Sequence, residues 1–506
     1  MRQSTSIFEF SFWKNRSIQR FCYRGLLAIA TCCLIVAGWS WKPALAEQAL
    51  HYTELEFPPL PEVTVPDYER YELDNGLVVY LMENHELPLV GGSVTVHTGD
   101  RLVSNEEVGL ANVTGDGMRL GGSVEFSADQ LNQFLEQRAA SIETSIGTAS
   151  GSASFSSLSE DLTDVFERFV DVVRQPRFPE DKLALIERQL AGSIARRNDS
   201  PSDIARREFY KLIYGSESPY ARTVEYSTLE NISRDDVVAF HDRYFQPNNM
   251  ILGIYGDFDS AAVRSLISNA LGDWEASPVP DSEIRLDEVY QAREGGVFLI
   301  EQPQLTQSSV LMGHLAGTRN DPDYAALTVM NQVMNGLSGR LMNEVRSRQG
   351  LAYSAYAFWS AAYDYPGVFI AGGETRSETT VPFVASTKSE IDKIRESPIT
   401  EEELTQAKDS VINSFVFNFQ DPSQMISRLI TYEFYGYPED FIFQYRQDVE
   451  ATTAADIQRA AQEHLQPEKL VTLVVGNPDS MNPPLSALTA NDSVTKLDIT
   501  IPQPGA

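Results

Sequence analysis

The 506-residue chain has only three cysteines, and all of them (Cys22, Cys32 and Cys33) fall near its start. Beyond residue 33 no thiol is available for a disulfide, a covalent nucleophile or a thiolate metal site. Histidine is nearly as scarce. His51, His85, His97, His241, His314 and His464 are the full set, and none lies within five residues of another. The close histidine pairs that place two zinc ligands on one helix face are therefore missing. Positive charge is short as well: 40 Lys and Arg against 71 Asp and Glu leave a formal net charge of −31. That balance repels phosphate backbones and excludes nucleic acid as a partner. The apolar run Gly25 to Trp39 is shorter than the roughly 20 residues a membrane-spanning helix needs.

That run has a different character. Lys14, Arg16, Arg20 and Arg24 precede it, and Ala44-Leu45-Ala46 supplies small residues after it. The sequence predicts a secretory signal peptide over 1–46, cleaved after Ala46, with no stable membrane span left behind. A lipoprotein reading through Cys32 fits less well, since Ile29-Ala30-Thr31 makes a poor lipobox. Removal of this segment, with its six basic residues and one acidic residue, takes the net charge to −36. Such acidity serves solubility, or attracts basic peptides to an acidic surface. Export of this kind places the protein in a periplasm or an equivalent envelope compartment.

What the rest of the chain has in quantity is internal repetition. SRDDVVAFHDRYFQPNNMILGIYGDFD from Ser233 and TAADIQRAAQEHLQPEKLVTLVVGNPD from Thr453 share one design. Asp236 and Asp456, Pro247 and Pro467, and Gly256 and Gly476 correspond at a constant offset of 220. Each copy reads as an amphipathic helix, a Gln-Pro break and a buried strand. Strand patterns at 77–83, 94–98, 297–301 and 309–315 place similar elements at the start of each half. Between them, 131–139 follows a Ser127/Gln130 capping box and 141–158 alternates like a hairpin. Helical patterns cover 162–173, 182–197, 324–334, 384–394 and 401–415, the last capped by Thr400 with Glu403. The expected fold class is α+β, with two duplicated αβ sandwich domains at 66–273 and 295–480. An N-terminal extension (47–65), a linker (274–294) and a mobile tail (481–506) complete the plan.

One stretch, GLANVTGDGMRLGGS (109–123), looks like a glycine-rich helix start with its chemistry removed. With YELDNGLVVYLMEN before it and GRLMNEVRSRQGLAYSAY in the second half, the chain resembles the pitrilysin/insulinase family of inverted-zincin metallopeptidases. The resemblance implies a clamshell of two domains around a peptide chamber. It also implies that Asn112-Val113-Thr114-Gly115-Asp116 stands where active members carry H-x-x-E-H. There two imidazoles four residues apart hold zinc and a glutamate deprotonates its water. The family's third ligand, a later glutamate, falls near Ser193, where 188–198 contains no carboxylate. Asn112, Gly115, Asp116 and Ser193 therefore occupy the zinc and base positions without the chemistry, and no metal or other cofactor is expected in this chain.

The second-half motif is intact. By resemblance, Arg346 and Tyr353 bind the substrate backbone, and a guanidinium fork and a phenol suit that role. Arg346 as a surface helix residue and Tyr353 as core filling is the plain alternative. Likewise Asn335 to Gly339 is either a chamber-lining loop or an ordinary turn. The combination points to a non-catalytic, substrate-binding subunit of a heteromeric zinc endopeptidase. Its partners would be a catalytic pitrilysin-type chain bearing H-x-x-E-H and zinc, and unfolded peptides. A peptide-binding or scaffold protein with no proteolytic role is the second reading, and an active peptidase with a rebuilt metal site the third.

Overall fold

Duplication is visible first in the strand order. A computed structural model describes residues 66–277, 288–336, 338–419, 421–490 and 493–503. The signal segment and extension predicted over 1–65 lie outside the described residues, as does the middle of the linker. The first half runs β1 (Glu69–Glu72), β2 (Val78–Glu83), β3 (Leu89–Val96), α1 (Leu110–Gly121), α2 (Ala128–Gln137), β4 (Ser141–Ile146) and β5 (Gly151–Leu158). It continues through α3 (Leu162–Arg174), α4 (Glu180–Arg196), α5 (Pro201–Tyr214), α6 (Tyr226–Glu230), α7 (Arg234–Tyr244), β6 (Met250–Gly256) and α8 (Ser260–Leu271).

The second half repeats the plan with β7 (Val297–Glu301), β8 (Gln307–Leu315), α9 (Tyr324–Asn335), β9 (Ala352–Ser360) and β10 (Val368–Arg376). Then come α10 (Thr380–Glu396), α11 (Glu401–Phe415), α12 (Pro422–Tyr435), α13 (Phe441–Ala451), α14 (Ala454–His464), β11 (Val471–Gly476) and β12 (Thr495–Lys496). The two six-stranded sheets are ordered β1-β2-β6-β3-β5-β4 and β12-β7-β11-β8-β10-β9. In each, the strand that ends the repeat lies parallel to the first long strand, β6 beside β2 and β11 beside β7. The fold class is α+β, as expected.

Local signals explain many boundaries. Ser127 with Gln130, Ser233 with Asp236, Thr400 with Glu403 and Thr453 with Asp456 all form capping boxes, which satisfy the free N–H groups of a helix start. One face of each sheet lies on the helices of its own half, burying Leu81, Val94, Phe155 and Phe166 in the first and Leu299, Met312, Phe369 and Phe383 in the second.

The other faces are covered by exchange. Helix α5 crosses to the second sheet, where Ile204, Phe209 and Ile213 meet Phe298, Ile300, Leu311 and Leu473. Helix α12 returns the gesture, laying Met425, Ile426, Leu429 and Ile430 on Tyr80, Met82 and Ile251 of the first. Each such side chain contributes about 1.5–3 kcal/mol on full burial. Two glycines make room: a Cβ at Gly253 would sit 2.5 Å from Ile430 Cδ1, and one at Gly313 would sit 2.8 Å from Phe209 Cζ. Polar contacts lock the exchange. Arg70 donates to both carboxylate oxygens of Glu433 at 3.1 and 2.6 Å, and the Tyr80 hydroxyl donates to the same group at 2.9 Å. Arg101, almost fully buried, pairs with Asp364 at 2.6 Å, and His97 stacks on Phe434 at 3.9 Å.

The tail corrects the sequence reading. The polar composition of 481–506 predicts mobility, yet Met481 and Leu485 are buried in the second core, with Leu488 and Val494 against it. β12 then adds a parallel strand to β7, and Asn198 donates to the Ile499 carbonyl at 2.7 Å. Scattered apolar residues find separate grooves, which a compositional average over the segment hides. The described ends of the linker are also tied down: Ser277 N–H donates to Gln246 Oε1 at 3.0 Å, and Ala292 N–H to the Ile213 carbonyl at 2.8 Å.

Two histidines make this packing sensitive to acid. Desolvation holds His97 below its ordinary pKa, with Arg101 pushing the same way and Asp364 opposing. Desolvation also lowers His314, whose Nδ1 donates to the Leu315 carbonyl while Nε2 accepts from Gln466 N–H. The unfolded chain takes up these protons below about pH 6.5 more readily than the folded one, so stability is lost as pH falls through that value. His85, exposed and raised by Asp257, works weakly in the opposite sense. The urea midpoint is expected to be lower at about pH 5.5 than at about pH 7.5. His97→Phe, which keeps a ring on Phe434, should shrink that difference.

Candidate functional site

The glycine-rich stretch forms α1, entered through Gly109 at φ 111°, a left-handed conformation that favours glycine. The helix lies along the outer edge of β4, the last strand of the first sheet. Arg119 Nε donates to the Ile142 carbonyl at 2.6 Å, and Thr144 Oγ1 donates to the Gly115 carbonyl at 2.6 Å. Asn112 Nδ2 reaches the Ile146 carbonyl at 3.5 Å. Gly115 is buried against the strand, and a Cβ there would lie 2.5 Å from Ile146 N and 2.9 Å from the Ser145 carbonyl carbon.

These contacts settle where the predicted zinc-position residues stand. Asn112 is half-buried and engaged with the strand. Gly115 has no space for a base, because the strand backbone fills the direction a side chain would take. Asp116 is exposed by area, yet partial desolvation raises its pKa. Ser193 is exposed on α4 and donates to the Gln189 carbonyl of its own helix at 3.1 Å. An amide, a hydrogen, one carboxylate and a hydroxyl do not make the imidazole-rich donor set that zinc prefers, so these residues do not fit the ion.

Among the described residues one group brings three acidic or histidine donors together: Asp321, Asp323 and His464. Their separation along the chain hides them from a survey of nearby histidines. Arg459 already grips Asp323 through both guanidinium branches at 2.7 and 2.6 Å, and His464 Nε2 lies 3.1 Å from the same carboxylate. Arg459 beside it holds the Asp323 carboxyl below its usual range. The positive charge this cluster calls for is a guanidinium already in place.

The second-half pair does come together. After α9 the chain winds through a π-helical segment, Met342–Arg348, a geometry often found at functional sites. Leu341 and Val345 anchor it in the core, while Arg346 points outward. Arg340 fixes its entrance by donating to both oxygens of Glu403 at 2.7 and 3.0 Å, drawing that carboxyl down to about 2. Gly350, at φ 62°, turns the chain into β9. Tyr353 is 82% exposed, and Arg346 Cζ stands 4.7 Å from its ring centroid, within cation–π range. The core-filling alternative for Tyr353 is thereby excluded.

Duplicated αβ halves, a helix in the zinc position without the ligands, and a surface Arg–Tyr pair define a peptidase-like fold whose first-half centre is empty of its chemistry. Comparison with known proteins agrees. Residues 231–411 match the family described as the Peptidase M16 inactive domain. The Helicobacter pylori "Non-peptidase homolog YmxG" is 21% identical over 402 residues, spanning 78% of this chain and 90% of that one. An uncharacterized zinc protease of Rickettsia felis is 23% identical over 67% of this chain and 80% of its own. An M16 inactive-domain structure from Pseudomonas fluorescens has the same fold, with TM-score 0.72 at 24% identity over 81% of this chain and 98% of that one. The periplasmic protease PqqL of Escherichia coli superposes with TM-score 0.69 at 14% identity, over 85% of this chain but 49% of PqqL. These similarities support an inactive member of the pitrilysin-type (M16) family, in line with the resemblance read from the sequence.

The Gly115 contact gives a sharp test. Gly to Ala inside a helix normally adds stability, by about 1 kcal/mol. Here the overlap with β4 should win, so Gly115→Ala is expected to cost about 1–3 kcal/mol in urea unfolding. The triple change N112H/G115E/D116H should lower the melting temperature further and bind no stoichiometric zinc by titration calorimetry.

Proposed function

We propose that this chain is the exported, non-catalytic subunit of a two-chain zinc endopeptidase, holding extended peptides for a partner that carries the intact H-x-x-E-H. The observation that carries the reading is the Arg346–Tyr353 pair. Both side chains are exposed, face to face, and no described carboxylate forms an ion pair with Arg346. A surface tyrosine costs exposed apolar area, and a guanidinium fork set against it is suited to peptide carbonyls or a developing oxyanion. The first half could not complete hydrolysis with the residues it has, so the chemistry must come from a different chain.

Export rests on the basic and apolar pattern of 1–46, and peptide binding on the edge-strand setting of Tyr353. Peptides that add to a sheet edge gain main-chain hydrogen bonds, with side-chain contacts supplying preference. Among the described residues no helix is long and apolar enough to cross a membrane, which is compatible with a protein released after signal cleavage.

The second reading, a peptide-binding or scaffold protein with no proteolytic partner, draws support from the non-peptidase description of the Helicobacter relative. Reconstitution separates the two. The purified chain alone should hold no zinc by metal analysis and cleave no unfolded peptide. Mixed with its catalytic partner, it should support cleavage, and Arg346→Ala or Tyr353→Phe should cut kcat/KM by about tenfold or more, the worth of one or two such donors. Zinc-dependent turnover by the isolated chain would overturn both readings. Unchanged activity in the reconstituted variants would favour the scaffold.

A further inference from the structure

We propose that the cleft between α4 and α7 docks a polypeptide segment that presents one large apolar side chain with a lysine or arginine beside it. The proposal concerns a different side of α1 from the emptied motif's contact with β4, and it does not rest on the Arg346–Tyr353 pair.

Helices α4 and α7 both pack on α1, and between them an open cavity of about 240 Å³ remains. Its lining is largely apolar: Val113 of α1, Leu183 of α4, Leu229 of α6, Val237 of α7 and Ile232 before it. Val113 stands two helical positions from Gly115 and so points away from β4. Leu183 and Ile232 are only half-buried, which leaves the apolar surface open to solvent. The stripe along α4 shows why the protein does not fill this space itself. Glu180, Leu183, Ala184 and Glu187 line the cavity at i, i+3, i+4 and i+7, one face of the helix. At the middle of that face Ala184 offers only a methyl group.

Size and charge select the occupant. Small-molecule sites begin at about 300 Å³, so the cavity is undersized for a cofactor and suited to a single Leu, Met or Phe side chain. Taking one such side chain out of water is worth about ten- to a hundredfold in affinity. The rim supplies the second preference. Glu180 and Glu187 are both exposed, and neither carboxylate has an ion pair or hydrogen bond among the described residues. They lie about 10 Å apart along the helix. Arg234 sits toward the Glu180 end, since its guanidinium donates to the Phe178 and Arg177 carbonyls at 2.9 and 3.3 Å. That cation offsets Glu180 and leaves Glu187 uncompensated. Lys182 and Arg188, the other nearby bases on α4, do not line the cavity. An incoming base therefore belongs at the Glu187 end, where a carboxylate would be repelled. The formal charge of −31 on the whole chain acts in the same sense at longer range.

Methyl NMR on the full chain, labelled at its Ile, Leu and Val methyl groups, tests the proposal with three short peptide amides. The first carries one phenylalanine followed by two lysines among glycine and serine. The second has glutamates in place of the lysines, and the third has alanine in place of the phenylalanine. The first should shift the Val113, Leu183 and Ile232 methyl signals saturably, and the other two should bind at least about tenfold more weakly. Ala184→Leu, which fills the cavity from within, should remove these shifts without lowering the melting temperature. Glu187→Lys, a surface change independent of that filling, should erase or invert the preference for lysine over glutamate. Equal binding of the lysine and glutamate peptides, shifts that survive Ala184→Leu, an unchanged preference in Glu187→Lys, or no saturable shift at any of the three methyls overturns the proposal. A response to free phenylalanine amide as strong as that to the first peptide assigns the cleft to a small molecule and overturns it as well.

Discussion

The two halves of this protein cannot be understood singly, because each completes the other's core. A sheet in an αβ sandwich has two faces, and each half supplies helices enough for one. The uncovered face of each sheet is closed by a helix sent from the other half, α5 onto β8 and β11, α12 onto β6 and β2. Gly253 and Gly313 mark the cost on the sequence. Both interrupt buried strands where a side chain would otherwise be favoured, and both face an incoming Ile or Phe side chain. The Arg70–Glu433–Tyr80 contacts then hold α12 on the first sheet, and the Arg101–Asp364 pair ties a loop of one half to a loop of the other. A buried guanidinium such as Arg101 is tolerable only with its carboxylate in place, so these contacts specify the arrangement as much as they stabilise it.

This exchange holds the functional surfaces at fixed positions. β4 and β9 are the last strands of their sheets, at equivalent ends of the duplicated order. What differs is what lies beside them. Along β4 the α1 backbone approaches so closely that Gly115 touches Ile146, while after α9 the chain loosens into a π-helical segment that turns Arg346 outward. The first half has thus exchanged a place for side-chain chemistry for backbone packing. The second half keeps exposed donors on a rigid support.

How much of this the sequence discloses follows from how local each signal is. The capping boxes at Ser127 and Thr400 are readable because their partners lie three residues apart, and the structure forms both; those at Ser233 and Thr453, closed by an aspartate rather than Glu or Gln, emerge only with the structure. The 220-residue offset is readable because Gln-Pro breaks and terminal glycines punctuate both copies. The emptied zinc motif is readable as missing atoms. The exchanged helices α5 and α12 are not, since the strands that bury them lie in the other half of the chain. Nor is the docked tail, whose apolar residues at 481, 485, 488 and 494 are diluted by polar neighbours. Asn331 and Asn335 look like ordinary polar positions at the end of a helix until the strand beside them is known.

Those asparagines also say what Asn112 and Asp116 are. α1 and α9 occupy the same place in the duplicated order, each leading to the edge strand of its sheet. Asn112 and Asp116 match Asn331 and Asn335 at an offset of 219, with the same four-residue spacing. In the second half Asn331 bonds both the N–H and the carbonyl of Trp359 on β9, and Asn335 does the same with Ala357. In the first, Asn112 bonds its strand weakly, at 3.5 Å from the Ile146 carbonyl. Ionised Asp116 has no proton to give a carbonyl and stays in solvent. Arg119 takes up the task instead, reaching the Ile142 carbonyl. A helix face whose i and i+4 positions would suit a metal is equally suited to capping a strand edge, because both tasks need two polar groups about 6 Å apart. The residues at 112 and 116 therefore have a structural use of their own, and that use explains a motif that is polar without being catalytic.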